Sequence, residues 1–280
     1  MRPPGSPADS PRRTLAALGL SPRKSLGQNF LADRNVAGKI VALARSFPPP
    51  YLEIGPGLGA LTELLAEAGA PVVAVELDRG LAAHLRDRFA DGSVEIVEAD
   101  FLKVSAKEWR SGFPAGGTVV GNLPYSISSP AVLRLIELRE VFPRAVLMLQ
   151  REVVDRLCAG PGGKEYGVLS VYLGVLADAR KEFVVRRACF HPAPDVDSAV
   201  MSVRFVGNYP EALVTALRTV VRAAFAHRRK TLRNAPVPFL QAGTAQWLEL
   251  LLAAGIDPAG RAEEIPPAAY LALARAFAGM

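Results

Sequence analysis

Residues 51–59 read Tyr51-Leu52-Glu53-Ile54-Gly55-Pro56-Gly57-Leu58-Gly59, behind Pro48-Pro49-Pro50 and ahead of Leu61, Leu64 and Leu65. A short apolar run bounded by prolines and a glycine-rich turn is a buried strand, and leucines at a spacing of three and four are a helix. Further strands fit residues 72–76, 94–97 and 118–120, with helical stretches ending near Gly69 and Phe89 between them. Strands alternating with helices at this spacing predict an α/β fold around a right-handed, mostly parallel sheet. Upstream, a helix opens at Asp33 or Arg34, buries Val36, Ile40, Val41 and Ala44, and stops at the prolines. Downstream, a helix follows Ser128-Ser129-Pro130, and strands fit 145–149, 183–185 and 199–205.

A glycine-rich turn alone is weak testimony to a ligand, since a tight strand–helix junction also requires glycine. Two acids add to it. Glu76 ends the second strand, 21 residues after Gly55, where a carboxylate binds both hydroxyls of an adenosine ribose. Asp100 follows the third strand and can accept the adenine amine of the same ligand. Either acid alone could simply cap the segment after it; both together with the glycine turn favour a nucleoside cofactor.

The fourth strand runs into Val119-Val120-Gly121-Asn122-Leu123-Pro124-Tyr125. Gly121 admits a close backbone approach, read here as an approach to a ligand. Asn122 offers an amide donor and acceptor, Pro124 restricts Leu123 to an extended conformation, and Tyr125 presents a flat face for a planar base. Transfer to the exocyclic amine of a nucleobase needs this combination. Phe190-His191-Pro192-Ala193-Pro194 is a stiff extended loop, and Phe190 is either a second stacking face or a core plug.

The formal net charge of +6 is unevenly spread: residues 1–30 carry +4, residues 218–233 carry +6, and the rest nets −4. Basic charge gathered at two places suits a polyanion. Arg228, Arg229, Lys230 and Arg233 are the candidates for RNA contact, or alternatively charges at a helix end. Cys158 and Cys189 are isolated, as are His84, His191 and His227, so neither a disulfide framework nor a metal site is expected. The longest uncharged run, 111–133, is broken by glycines and prolines and does not suit a membrane helix. No signal-peptide core precedes the domain, and a cytoplasmic location fits, although the Arg and Ser content leaves an organellar transit peptide open.

Composition divides the chain into three. Residues 1–20 are expected to be a flexible extension, 21–206 the α/β domain, and 207–280 a helical domain with helices over 211–226, 245–254 and 267–278. Gly160-Pro161-Gly162-Gly163-Lys164 reads as a mobile loop, an RNA contact or a plain surface turn.

Five motifs in order resemble the ribosomal RNA adenine dimethyltransferase family, from about Leu18 to the C-terminus. They are Lys24-Ser25-Leu26-Gly27-Gln28-Asn29-Phe30-Leu31, the glycine turn from Glu53 to Gly59, Asn122-Leu123-Pro124-Tyr125, Phe190-x-Pro192-x-Pro194 with Val196 and Ser198-Ala199-Val200, and Arg228-Arg229-Lys230-Thr231-Leu232-Arg233-Asn234. Asp195 stands where many relatives have a basic residue, and Ala235-Pro236 follows the last motif where they continue a helix.

The resemblance implies a Rossmann-like class I methyltransferase sheet with a small all-helical C-terminal domain. It also implies S-adenosylmethionine as cofactor and two adjacent adenines near the 3′ end of small-subunit (16S) ribosomal RNA as substrate, with a monomer acting on the small ribosomal subunit or its RNA. Carried over by position, Gln28, Asn29 and Leu31 close over the cofactor, Gly55 approaches its methionine part, Glu76 holds the ribose and Asp100 the adenine, with Gly57, Leu77 and Phe101 also among the cofactor-binding residues. Asn122 binds the cofactor beside its reactive methyl and joins Leu123, Tyr125 and Phe190 in holding the reacting base. Rival readings are methylation of a single adenine in large-subunit RNA, a DNA adenine methyltransferase, disfavoured because no target-recognition domain is apparent, and a non-catalytic ribosome-assembly or transcription factor that keeps the fold.

Overall fold

The computed structural model describes residues 10–227, 230–238, 240–241 and 243–279. Its strands are β1 (Phe30–Leu31), β2 (Tyr51–Ile54), β3 (Val72–Glu76), β4 (Glu95–Glu98), β5 (Thr118–Asn122), β6 (Arg144–Gln150), β7 (Ala177–Val185), β8 (Phe190–His191) and β9 (Ser198–Phe205). The helices are α1 (Pro11–Ala17), α2 (Arg34–Ala44), α3 (Ala60–Glu67), α4 (Arg79–Arg88), α5 (Ala106–Gly112), α6 (Ser128–Glu137), α7 (Arg151–Leu157), α8 (Val168–Leu176), α9 (Glu211–Phe225), α10 (Gly243–Ala253) and α11 (Pro267–Ala278).

Seven strands form one sheet in the order β4-β3-β2-β5-β6-β9-β7. The pairs β3/β4, β2/β3, β2/β5 and β5/β6 are parallel, while β9 runs antiparallel to β6. The order reverses between β2 and β5, so the loops leaving these strands diverge there and open a crevice. Each parallel strand is closed by the segment that the sequence marks. Pro48–Pro50 and the glycine turn flank β2, all four of whose residues are buried. Asp33 caps α2, accepting from the amides of Asn35 (2.9 Å) and Val36 (3.2 Å). Ile40 and Leu65 from the helices join sheet residues such as Val120 and Val146 in the core, all fully buried. Each such side chain contributes about 1.5–3 kcal/mol by leaving water. The short pair β1/β8 matches Leu31 with Phe190 and Phe30 with His191, bringing two distant motifs together.

The chain falls into two compact units. One comprises residues 1–154 and 180–204, the other 155–179 and 205–280. A single boundary at 206/207 is therefore replaced by a helical unit made of two chain segments. The reason lies in α8, where six of nine residues are buried, so it needs helices around it and packs with α9 and α11. Tyr166 and Tyr270 pin this unit by donating to the carbonyls of Ile265 (2.9 Å) and Ala262 (2.8 Å). The loop at 160–164 is tied into it through the Gly162 amide on the Glu263 carbonyl at 2.7 Å, rather than left loose.

Residues 10–20 also depart from expectation. Instead of a flexible extension, Pro11–Ala17 is helical, and Leu15 packs with Phe30, Leu58 and Leu81 while Leu20 borders the cluster. Three apolar residues at the foot of the glycine turn, Phe30, Leu58 and Leu81, would otherwise lack cover, which is what holds the segment down. Residues 1–9 lie outside the described residues.

Candidate functional site

A cavity of about 230 Å³ opens at the C-terminal ends of the parallel strands. It is lined from β1 and its preceding loop, the turn after β2, the ends of β3 and β4, the turn after β5, and Phe190. It thus lies at the reversal of strand order, where open α/β sheets bind ligands.

The glycine turn is built around three left-handed residues, Gly55 (φ 66°), Gly57 (φ 60°) and Gly59 (φ 85°). A Cβ on Gly57 would meet the Phe30 ring at 3.1 Å. Arg88 donates to the Leu58 carbonyl at 2.7 Å and holds the turn from behind. Glu76 locks the turn to β3. One of its oxygens accepts from the Gly57 amide (3.0 Å) and the other from the Asp78 amide (2.8 Å). Burial pushes its carboxyl up, and these amides pull against the rise. A carboxylate has about four acceptor positions, so two bonds leave capacity for a ligand's hydroxyls.

Glu53 is the group that sequence reasoning quoted without assigning a role. It sits in an apolar strand, 1% exposed, lines the cavity, and its Oε2 has no hydrogen-bond partner among the described residues. Burial raises its pKa to about 8, with the nearby Glu76 charge adding to the rise. A lone acid inside Tyr-Leu-Glu-Ile was the available signal.

Asp100 both caps and lines. Its Oδ1 accepts from the Leu102 amide (3.0 Å), its Oδ2 pairs with Lys103 (3.4 Å), and the residue borders the cavity. The capping alternative is therefore true for Asp100 without excluding a ligand. Phe101 is buried against Trp109, with ring centroids 5.9 Å apart, whereas Leu77 is 53% exposed on the cavity rim.

At the other end, Asn122 lies at the tip of β5 and its Nδ2 donates to the Asn29 carbonyl at 3.0 Å. The Leu123 amide donates to the Met148 carbonyl at 3.1 Å, fixing the turn to β6. Tyr125 is half-buried, and its hydroxyl is 3.2 Å from that of Ser198. Gly121 is needed for a different reason than a ligand's approach. A Cβ there would come within 2.9 Å of the Ile54 carbonyl and of the Leu123 side chain, so the glycine permits strand packing. Phe190 satisfies both of its readings: it is 5% exposed within the main core, and it lines the cavity.

The segment from Ser25 to Leu31 forms the remaining wall. Gln28 accepts from the Arg23 amide (2.9 Å) and donates to Asp78 (3.4 Å), and Arg23 pairs with Asp78 at 3.1 Å. Asp78 is otherwise the cap of α4. Asn29 donates to the Gly27 carbonyl (3.2 Å), and Leu31 is buried against the cavity. Gln28, Asn29, Leu31, Gly55, Gly57, Glu76, Leu77, Asp100, Phe101, Asn122, Leu123, Tyr125 and Phe190 thus converge on one cavity. Lys230 and Arg233 belong to the helical unit with exposed side chains; Arg228 and Arg229 lie outside the described residues. Among the described residues no cluster of acids, His and Cys could hold a metal ion, and no helix is long and apolar enough to cross a membrane.

The family model described as ribosomal RNA adenine dimethylase matches residues 19–278. "Ribosomal RNA small subunit methyltransferase A" from Geobacter metallireducens is 43% identical over 271 residues, covering 92% of this chain and 96% of that protein. The protein of the same name from Methylococcus capsulatus is 46% identical, covering 91% and 97%. Among solved structures, a dimethyladenosine transferase from Plasmodium falciparum superposes with TM-score 0.71 at 25% identity, covering 87% of this chain and 95% of that one. The 23S rRNA methyltransferase ErmE gives TM-score 0.67 at 26% identity, covering 89% and 99%. The expected Rossmann-like sheet of class I methyltransferases is the fold these structures share with this chain.

Proposed function

This chain belongs to the ribosomal RNA adenine dimethylase family, and we propose that it dimethylates N6 of two adjacent adenines near the 3′ end of small-subunit ribosomal RNA, using S-adenosylmethionine. The observation that carries this reading is the Asn122 carboxamide, held by Asn29 beside Tyr125 at one end of a cavity whose other end bears Glu76 and Asp100.

The residues present suit that cofactor. The left-handed glycine cradle is open to a ligand's backbone-scale approach, and the buried Glu53 carboxyl, which keeps its proton below about pH 8, leaves its unpartnered Oε2 as a polar contact for the ligand. Glu76 receives the ribose hydroxyls, while Asp100, with Leu77 and Phe101 as apolar walls, receives the adenine. When bound, the cofactor supplies a methyl group already activated on a sulfonium.

The protein's own task is to position a poor nucleophile. The adenine amine is weakly basic because its lone pair is delocalised into the ring. Since Nδ2 of Asn122 is engaged by Asn29, Oδ1 is the atom left to accept an amine hydrogen, and the Leu123 carbonyl takes the other. Both bonds favour a pyramidal nitrogen, and Tyr125 and Phe190 hold the ring between them. Such preorganisation supplies roughly 3–4 kcal/mol per well-placed hydrogen bond, without a group of perturbed pKa at the nitrogen. Basic residues at 228–233 hold the RNA, and the reaction runs in the cytoplasm on one copy of the chain.

The test is methyl transfer from labelled cofactor to unmethylated small ribosomal subunits, with large-subunit RNA in parallel and mass mapping of the product. Dimethyladenine at two adjacent small-subunit positions is the expected result. Label confined to large-subunit RNA would overturn it in favour of the activity named for ErmE.

A further inference from the structure

Ser198 opens β9, opposite Gln150, the last residue of β6. The residues after it, Ala199, Val200 and Met201, are apolar and fully buried, so a hydroxyl at this position serves something other than the sheet's core. Ser198 itself is 1% exposed, and a buried hydroxyl requires a partner. Its partner is the phenolic oxygen of Tyr125 at 3.2 Å. The backbone entering Ser198 is pinned on both sides, because Asp197 accepts from the Arg151 amide through its carbonyl (3.0 Å) and from the Arg187 amide through its carboxylate (2.9 Å).

We propose that Ser198 is a positioning residue for the reaction: anchored on a rigid strand, it fixes the Tyr125 ring as the wall against which the target base stacks. This rests on the functional reading above. The geometry of the phenol explains how the bond acts. The phenolic oxygen lies on the axis about which the ring flips, so a hydrogen bond there leaves flipping free and fixes where that axis points. The ring's centre, and hence the stacked base, is held with it. Tyr125 begins the single-turn segment Tyr125–Ile127, whose φ and ψ alone do not set its side chain. Burial raises the Tyr125 pKa, aided by Asp197 and Asp195 against the Ser198 bond, so the phenol stays neutral and the anchor persists through ordinary assay conditions.

Wild-type labelling of small subunits tests the functional reading; Ser198→Ala, Tyr125→Phe, the double variant and Ser198→Thr are then compared on whichever RNA the wild type labels. One hydrogen bond of ordinary strength predicts about a 3–10-fold loss in kcat/KM for Ser198→Ala, with cofactor affinity unchanged and Tm lowered by no more than a few °C. Tyr125→Phe should match it, and the double variant should lose no more than either single change. Ser198→Thr, which keeps the hydroxyl and suits a strand, should recover activity. Losses that multiply in the double variant, or full activity in Tyr125→Phe, would overturn the proposal. The Tyr125→Phe arm decides even if Ser198→Ala fails to fold.

Discussion

The Nδ2 of Asn122 donates to the backbone carbonyl of Asn29 at 3.0 Å, across 93 residues of sequence. That contact makes the residue at 122 an amide by necessity. An aspartate would keep an oxygen for the substrate amine but turn its second oxygen onto the Asn29 carbonyl, two acceptors facing each other. We expect Asn122→Asp to lose about 10²–10³-fold in kcat, and Asn122→Ala at least as much, while cofactor affinity changes little. Single-turnover transfer and calorimetric cofactor binding check this. Wild-type turnover by the aspartate variant would show that the Asn29 contact does not orient the amide.

Glu53 gives the cofactor-free protein a pH-dependent stability. Its folded-state pKa of about 8 stands above the ordinary 4.5, so between these values the folded chain keeps a proton that the unfolded chain has released. Stability from this group is then full below about pH 4.5, declines as pH rises from there, and is lost once pH has passed about 8. Glu53→Gln is neutral at every pH and should abolish this contribution. Thermal melts at pH 6 and 8.5 are the measurement: the wild-type Tm falls over this step, and the glutamine variant melts several °C higher at pH 8.5, at roughly 2–4 °C per kcal/mol for a chain of this size. Parallel declines in both proteins would mean that Glu53 does not titrate in this range.

Leu15 tests whether the N-terminal helix belongs to the fold. It is 3% exposed and packs on Phe30, Leu58 and Leu81, beneath the glycine turn. Leu15→Ala should cost about 2–3 kcal/mol, the lower part of the range for a buried leucine, because the cluster is small. Denaturant unfolding should show a lower midpoint with an unchanged slope. An unchanged midpoint would return residues 10–20 to the status of an appendage.

What was legible in the sequence, and what was not, follows from the range of the interactions. The alternation of strands and helices is local, and so were the ends of β2, β3 and β5 with the residues they carry. The turn at Asn122 could be read because its chemistry is contiguous. The helical character of Pro11–Ala17 was hidden because Leu15 is held by residues up to 66 positions away, in a segment whose own composition is rich in Pro, Ser and Arg. α8 was missed because its residues are apolar all round, which erases the amphipathic period, and that omission misplaced the boundary between the units. Ser198 and Glu53 stand inside legible motifs, but their settings are not local: Ser198 meets Tyr125, 73 residues away, and the Glu53 carboxyl lies near that of Glu76 on the next strand.

The basic run is the remaining test of how RNA is held. Lys230 and Arg233 are exposed, and their backbone amides are already satisfied by the carbonyls of His227 (2.8 Å) and Pro258 (3.0 Å), so their side chains are not needed to close the turn. Lys230 also lies five residues past the end of α9 at Phe225, beyond the last turn where a cation stabilises a helix end. Replacing both by alanine should therefore leave Tm nearly unchanged, within about 0.5 kcal/mol of stability. RNA affinity should fall, and the slope of log affinity against log salt should shrink by about 0.7–0.9 for each phosphate contact removed. Filter binding across a salt series separates the two roles. A lowered Tm with an unaltered salt slope would assign these charges to the folded structure of the helical unit and remove them from the RNA-binding surface.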